Sequence, residues 1–139
     1  MTNFKQFAGA VIFAALACTG LHAQSLNLRA TIPFDFHAGD KLMPAGEYVV
    51  HNQGPVVFVS GADRSSPHTL LMTNGAARRA SSPQAGLTFN HYGSEYFLET
   101  IWSPSVGDGR KTIQTSREKE LAKRGNDLIP DTVTIASSK

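Results

Sequence analysis

Apolar and polar residues alternate with a period of two over much of the chain, which predicts a protein built from β-strands. The first such stretch covers residues 26–36 and places its apolar side chains at even positions. Pro33 falls on the opposite face, where a proline predicts a sheet edge or a bend. We therefore expect one long strand that buries one face and exposes the other.

Two hairpins are predicted where a pair of short strands flanks turn residues. Residues 48–51 and 56–60 flank Gly54-Pro55, and residues 87–92 and 95–102 flank Gly93-Ser94. A glycine at the first central position is typical of a type II′ turn.

The two-residue turn of the second hairpin sets its register, which pairs Tyr92 with Glu95 and Leu87 with Thr100. One face then collects the core residues Leu87, Phe89, Tyr96, Leu98 and Trp102. Phe97 and Ile101 are left as apolar exceptions on the outer face beside Tyr92. We expect a helix to cover them, and the alternative is a partner interface.

The remaining elements are two further strands, two loops and a helix. Strands are predicted at residues 68–73 and 132–136, and loops at residues 74–86 and 103–110, the second with a turn at Asp108-Gly109. The helix is predicted from Ser116 to Arg124. Thr115 and Glu118 would form a capping box at its start, and Gly125 would end it in a left-handed conformation. The pattern predicts an all-β fold, an antiparallel sandwich or small barrel of about seven or eight strands with one short C-terminal helix.

The first residues have the organisation of a secretory signal peptide. Lys5 precedes an almost uncharged apolar run at residues 7–20, and Ala23 stands where a signal peptidase cuts. This run is shorter than the ~20 residues that span a bilayer as a helix. We predict a signal peptide at residues 1–23 and a single β-domain at residues 24–139 without a transmembrane segment. The domain would be secreted or periplasmic, and the sequence does not distinguish these two.

Cys18 is the only cysteine and lies within the predicted signal. Lipidation at Cys18 is the alternative, but Ala15 stands where lipoprotein signals usually have Leu. The domain is therefore predicted to be free of disulfides. The formal net charge of +2 gives no concentrated basic face, so no nucleic-acid partner is expected.

Candidate chemistry is sparse. Asp35 and His37 lie two apart on the polar face of a strand, so their side chains could approach one group. A solvated strand face is the competing interpretation. Zinc needs three or four ligands, and the other histidines of the domain (His51, His68 and His91) belong to separate strands. Neither a metal site nor a cofactor is predicted.

Catalytic and ligand-binding patterns are also missing. The sequence has no Gly-x-Ser-x-Gly elbow. Glu95 and Glu99 would lie ~13 Å apart along a strand, wider than the ~5–9.5 Å of paired glycosidase carboxylates. No catalytic residue is assigned. Tyr92, Tyr96 and Trp102 could form a binding platform, but core packing is favoured for Tyr96 and Trp102.

Four motifs together resemble an uncharacterised family of small exported bacterial all-β proteins. The motifs are Ile32-Pro33-Phe34-Asp35-Phe36, Met43-Pro44-Ala45-Gly46-Glu47-Tyr48, Tyr96-Phe97-Leu98 with Ile101-Trp102, and Arg117-Glu118-Lys119-Glu120-Leu121-Ala122. Met43 departs from the Leu expected before the Pro-Ala-Gly turn. The resemblance spans residues 28–123 and implies the fold class and export. It brings no assigned activity, so no functional residue is transferred.

The sequence therefore favours an exported, non-enzymatic binding or envelope-associated module. Its partner would be a protein or a glycan, and Asp35, His37, Tyr92, Phe97 and Ile101 are the candidate binding residues. One alternative is a small extracellular hydrolase or sugar-processing enzyme whose residues converge from separate strands. Another is a surface protein that self-associates through an exposed sheet edge.

Overall fold

The computed structural model describes residues 27–77, 85–102, 108–125 and 131–137. These residues form ten strands and one helix, in chain order β1 (Asn27–Ile32), β2 (Phe36–Ala38), β3 (Lys41–Met43), β4 (Gly46–Gln53), β5 (Val56–Gly61), β6 (His68–Ala77), β7 (Gly86–Tyr92), β8 (Glu95–Trp102), β9 (Asp108–Thr112), α1 (Ser116–Arg124) and β10 (Asp131–Ala136). The predicted all-β class with one short helix is confirmed. The predicted signal peptide at residues 1–23 lies outside the described residues.

All ten strands belong to one mixed, mainly antiparallel sheet that is not closed. Its main path runs β1-β4-β5-β6-β9-β8-β2-β3, and β7 pairs with β8 on one edge and β10 on the other. The strand β8 has three partners, because β9 pairs with its C-terminal half and β2 pairs with it at Phe97. The sheet curls until β1 lies near β7 and β10, without pairing with either as a strand.

The curled sheet encloses one apolar core. Phe36 lies at its centre, and its ring meets Tyr48 and Phe89 edge-on at centroid distances of 5.2 and 5.3 Å. Fully burying an aromatic or aliphatic side chain contributes about 1.5–3 kcal/mol, so these contacts dominate the stability of the sheet. The largest fully buried side chains are Tyr48, Phe36, Phe89, Leu28, Ile32, Met43, Leu87, Ile101, Val50, Val57 and Val59.

The predicted long first strand is in fact two strands. β1 ends at Ile32 and β2 begins at Phe36, with a bend at residues 33–35. Pro33 supplies the break, because it has no N–H to continue a ladder. The bend carries the chain from β1, which pairs with β4, to β2, which pairs with β8. The apolar alternation survives the bend, since Phe34 packs against the core and Phe36 is buried within it.

A β-bulge corrects the predicted register of the second hairpin. Phe89 faces Leu98 as expected, but Thr88 faces Thr100 and Leu87 faces Ile101, so Glu99 is an extra residue on β8. A bulge exchanges the two faces of the strand beyond it. The assignment of Ile101 to the outer face was therefore wrong, and its side chain is buried in the core.

The same bulge moves Trp102 out of the predicted core face. Its indole Nε1–H donates to Thr88 Oγ1 at 2.9 Å, on the face opposite Leu87. Thr112 supports the bulge, because its hydroxyl lies 2.6 Å from the carbonyl oxygen of Leu98 and 3.1 Å from that of Glu99. A buried hydroxyl thus satisfies carbonyl groups where the ladder is irregular.

Two segments predicted as loops contain strands. β6 continues to Ala77, and β9 occupies Asp108–Thr112, where a turn was expected. A β-carbon at Gly109 would lie 2.6 Å from the Trp102 ring, so this glycine permits close packing of the indole on a strand. The rest of these predicted loops, residues 78–84 and 103–107, lies outside the described residues. These strands raise the number of strands above the expected seven or eight.

The helix α1 has the predicted bounds, with two differences at its ends. The Glu118 N–H donates to Thr115 Oγ1 at 3.1 Å, which is the expected cap. The Glu118 carboxylate does not complete a capping box but accepts a hydrogen bond from the Asn90 side chain. Gly125 has φ of −90°, so the expected left-handed conformation was wrong.

Candidate functional site

The bend between β1 and β2 places the candidate residues Asp35 and His37 in one surface groove, which we call the polar groove. Its volume is about 470 Å³, and it lies where β2, β3 and the β7–β8 turn meet the first turn of α1. It is lined by Asp35, His37, Leu42, Ser94, Glu95, Tyr96 and Arg117. Sequence reasoning identified the first two as a pair and did not connect them to Glu95 or Arg117.

Asp35 forms a hydrogen bond with the backbone of the connection between β3 and β4. Its Oδ1 accepts a hydrogen bond from the Ala45 N–H at 2.8 Å, and the Tyr48 hydroxyl donates to the Pro44 carbonyl oxygen at 2.6 Å. Burial and the nearby Asp35 carboxylate raise the pKa of Tyr48 above its ordinary value. One oxygen of Asp35 is therefore committed to the backbone of the turn.

His37 connects strand β2 to its neighbour β8. Its ring stacks on Phe97, its register partner, at a centroid distance of 4.6 Å. Its Nε2 lies 3.5 Å from Glu95 Oε2. The stacking contact and this approach to Glu95 together connect β2 with β8.

Glu95 and Arg117 join the β7–β8 turn to the start of α1. The guanidinium meets both carboxylate oxygens, with Nε 3.2 Å from Oε2. The hydrogen bond from Arg117 holds the pKa of Glu95 below its ordinary value, against the opposing effect of partial burial. The Glu95 carboxylate and the Arg117 guanidinium are thus committed to each other by charge-assisted hydrogen bonds.

The described residues of the polar groove do not form a serine-based hydrolytic triad or a metal site. A hydrolytic triad needs a nucleophile hydrogen-bonded to its base, and no hydrogen bond joins Ser94 to His37. Within the described ranges, no group of three or more His, Cys, Asp or Glu residues could hold a metal ion. The arrangement can orient polar groups of a ligand through Asp35, His37 and the Glu95–Arg117 pair.

The other candidates, Tyr92, Phe97 and Ile101, have buried side chains with 6 %, 2 % and 0 % exposure. Tyr92, Asn90 and its register partner Phe97 form an outer surface of the sheet, which we call the helix-covered face because Glu118 of α1 bonds to two of the three. Asn90 Nδ2 donates to Glu118 Oε1 at 3.0 Å, and the Tyr92 hydroxyl also bonds to Glu118. The expected helix cover is seen at Tyr92, which contacts Glu118, whereas the Phe97 ring packs against His37 and Tyr92, and Ile101 lies in the core. Because all three are buried, they do not form an accessible binding surface in this structure.

The exposed apolar residues lie elsewhere, around a second groove that sequence reasoning missed. Leu70, Met72 and Ile113 are each more than half exposed and line this groove, which we call the β6 groove. Its volume is about 530 Å³, and its walls are residues 38–41, 69–72 and 112–115. The apolar surface continues past Leu70 to Phe58, which stacks on His51 at 4.7 Å. The only sequence signal was an apolar residue on both faces of β6, Leu70 beside Leu71.

Comparison with known proteins adds no functional information, so any functional argument rests on the fold and these two grooves. No protein-family model, curated protein or solved structure matches this chain. The helix of the described segments is too short and too polar to cross a membrane.

Proposed function

We propose that this protein is an exported, non-enzymatic binding module that engages its partner through the β6 groove. The observation that carries the proposal is the distribution of exposed apolar groups. Of the four large hydrophobic side chains that are exposed in the described segments, three line this one groove. Contiguous apolar surface of this kind marks interaction sites more often than scattered single residues do.

A position-specific photo-crosslinker tests this function. A benzophenone amino acid at Leu70 or Met72 should give a discrete crosslinked product in the envelope or medium of an exporting host. Leu42 is the matched control, because it is 58 % exposed and lines the polar groove instead. Products of equal yield at all three positions, or no product at Leu70 and Met72, would contradict a binding surface at the β6 groove.

Export is part of the proposal and rests on Lys5, the apolar run and Ala23. The resemblance to small exported bacterial β-proteins supports the same conclusion. Intact mass of the protein recovered from the periplasm or medium should correspond to a chain that starts at Gln24 without added lipid. A chain that starts at a lipidated Cys18 would replace the soluble module with an envelope-anchored one.

The second candidate function is a small hydrolase at the polar groove, favoured by the convergence of Asp35, His37 and Glu95. The geometry supports it less, because each of these side chains already has a polar partner. A broad screen of ester, peptide and glycoside substrates decides between the two. Turnover that is lost in Asp35→Ala or His37→Ala would establish the enzyme and displace the binding module.

A further inference from the structure

The β6 groove contains an unpaired strand edge in addition to its apolar side chains. β5 pairs with β6 from His68 to Met72, but β9 covers the opposite edge only from Thr73 onward. β9 ends at Thr112, and the chain then turns away toward α1. No other strand of the described segments pairs with residues 68–72 on this side.

The backbone groups along this edge have a defined direction. The Pro67 carbonyl oxygen accepts from Gly61 N at 3.2 Å, and Thr73 N donates to the Pro55 carbonyl oxygen at 2.9 Å, so the odd-numbered positions face β5. Backbone polar groups of successive residues point to opposite sides of a strand. The N–H and C=O groups of Leu70 and Met72 therefore point into the groove.

Lys41 shows that this edge accepts hydrogen bonds from outside β6. Its Nζ donates to the His68 carbonyl oxygen at 2.9 Å, across the space between the β2–β3 hairpin and β6. The ammonium group thus stands at one end of the edge with a neutral carbonyl as its acceptor. A carboxylate placed there would form a stronger, charge-assisted interaction.

The geometry points to strand addition: the β6 groove binds an extended segment of another polypeptide, which continues the position of β9 beside residues 68–72. The segment would carry apolar residues two apart, facing Leu70 and Met72, and an acidic group near Lys41. Backbone hydrogen bonds select a polypeptide over a lipid or a glycan, since only a peptide presents alternating N–H and C=O groups at strand spacing. This inference rests on the proposed function and specifies its partner.

A random linear dodecapeptide library displayed on phage provides the probe. Selection against the purified protein, with counter-selection against Met72→Lys, should enrich peptides with apolar residues two apart and an acidic residue at one end. The enriched peptides should bind Leu70→Lys at least tenfold more weakly than the unaltered protein. Leu42→Lys, the matched exposed control outside the groove, should bind within twofold of the unaltered protein.

Backbone methylation separates strand addition from apolar adhesion. N-methylation at alternate peptide residues removes the N–H groups that face β6, and should weaken binding at least tenfold. Methylation at the intervening residues should change binding less than threefold. Binding should also protect the Leu70 and Met72 amide protons from exchange, which does not depend on any substitution. Equal effects of the two methylation patterns would overturn strand addition.

The remaining outcomes distinguish this inference from the function on which it rests. No enriched peptide, together with specific crosslinks at Leu70 and Met72, would overturn strand addition and leave the binding module standing. If neither enriched peptides nor specific crosslinks were found, both strand addition and the binding module would be overturned. A concentration-dependent dimer seen by light scattering and displaced by the enriched peptides would make the occupant a second copy of this chain and overturn the assignment to a separate partner.

Discussion

The helix-covered face and the β6 groove are two outer surfaces of one sheet, but only the first is buried by other parts of the chain. On the first, Tyr92 and Phe97 are buried, and Glu118 of α1 accepts hydrogen bonds from the Asn90 amide and the Tyr92 hydroxyl. On the second, Leu70 and Met72 remain exposed beside an unpaired backbone edge. The comparison indicates where binding capacity remains, because the first surface is already satisfied within the chain.

The largest expected effect on stability comes from removing the buried Phe97 ring of the helix-covered face. Phe97→Ala should lower the free energy of unfolding by about 3–5 kcal/mol, since the ring is nearly fully buried and leaves a cavity. Leu70→Ala, at a position that is 54 % exposed, should change it by no more than about 0.5 kcal/mol. Urea denaturation measures both. Similar losses would mean that the β6 groove is also part of the folded core.

The next largest effect on stability is expected at the Glu118 carboxylate, which joins the helix to the sheet by hydrogen bonds. Glu118→Ala should cost about 1–3 kcal/mol, because it leaves the Asn90 amide and the Tyr92 hydroxyl without their buried acceptor. Glu120→Ala is the matched control on the same helix. It removes only an exposed pair with Arg124 and should cost no more than about 0.5 kcal/mol. A loss at Glu120 equal to that at Glu118 would count against a buried anchor.

A smaller effect appears at high pH. Burial, with the Glu118 and Glu99 charges, raises the pKa of Tyr92 above its ordinary value of 10.0. The unfolded chain then ionises first, so this phenol contributes stability below about pH 10 that is lost as the pH rises. In Tyr92→Phe, the free energy of unfolding should therefore fall less as the pH rises. Urea unfolding between about pH 8 and 11 measures this difference. An unchanged pH profile in Tyr92→Phe would contradict the buried hydroxyl–carboxylate contact.

The smallest effect lies in the polar groove. The hydrogen bond from Arg117 lowers the pKa of Glu95 from its ordinary value of 4.5, so its contribution is present above pH 4.5 and is lost as the pH falls through the lower folded value. Arg117→Gln should move the Glu95 titration upward in carbon NMR of the side-chain carboxyl. Lys111→Gln, which removes the partner of Glu99, is the control and should leave Glu95 unchanged. Equal movement in both variants would show a general charge effect instead of a specific pair.

Sequence patterns predicted the local elements better than their arrangement. The alternation of β1, the type II′ turn at Gly93 and the bounds of α1 all follow from short-range chemistry, and the structure confirms them. Gly93 has φ of 61° while no other residue type in the described segments has a positive φ, as a type II′ turn requires. The face assignments beyond Glu99 failed, because a bulge depends on the neighbouring strand β9 and has no signature in β8 alone.

The candidate sites were predictable only in part. Asp35 and His37 share a groove because they lie on either side of Phe36, which the sequence shows. Glu95 and Arg117 join them because α1 docks at the β7–β8 turn, a contact between residues 22 apart in the chain. The β6 groove had only a weak signal, since Met72 looks like an ordinary member of an apolar strand and Ile113 is a single apolar residue in a polar stretch after β9.

What the sequence determined by itself is that the chain forms strands with one buried face, together with the short helix and its N-cap. Periodicity and turn chemistry act over a few residues, so they can be read without knowing which elements pair. The tertiary structure alone decided which apolar groups stay exposed. Leu70 and Phe97 are both apolar residues on outer strand faces, and the sequence pattern raised the question of a cover for Phe97 without singling out Leu70. In the structure Phe97 is buried, with its ring packed against His37 and Tyr92, while Leu70 stays 54 % exposed on β6.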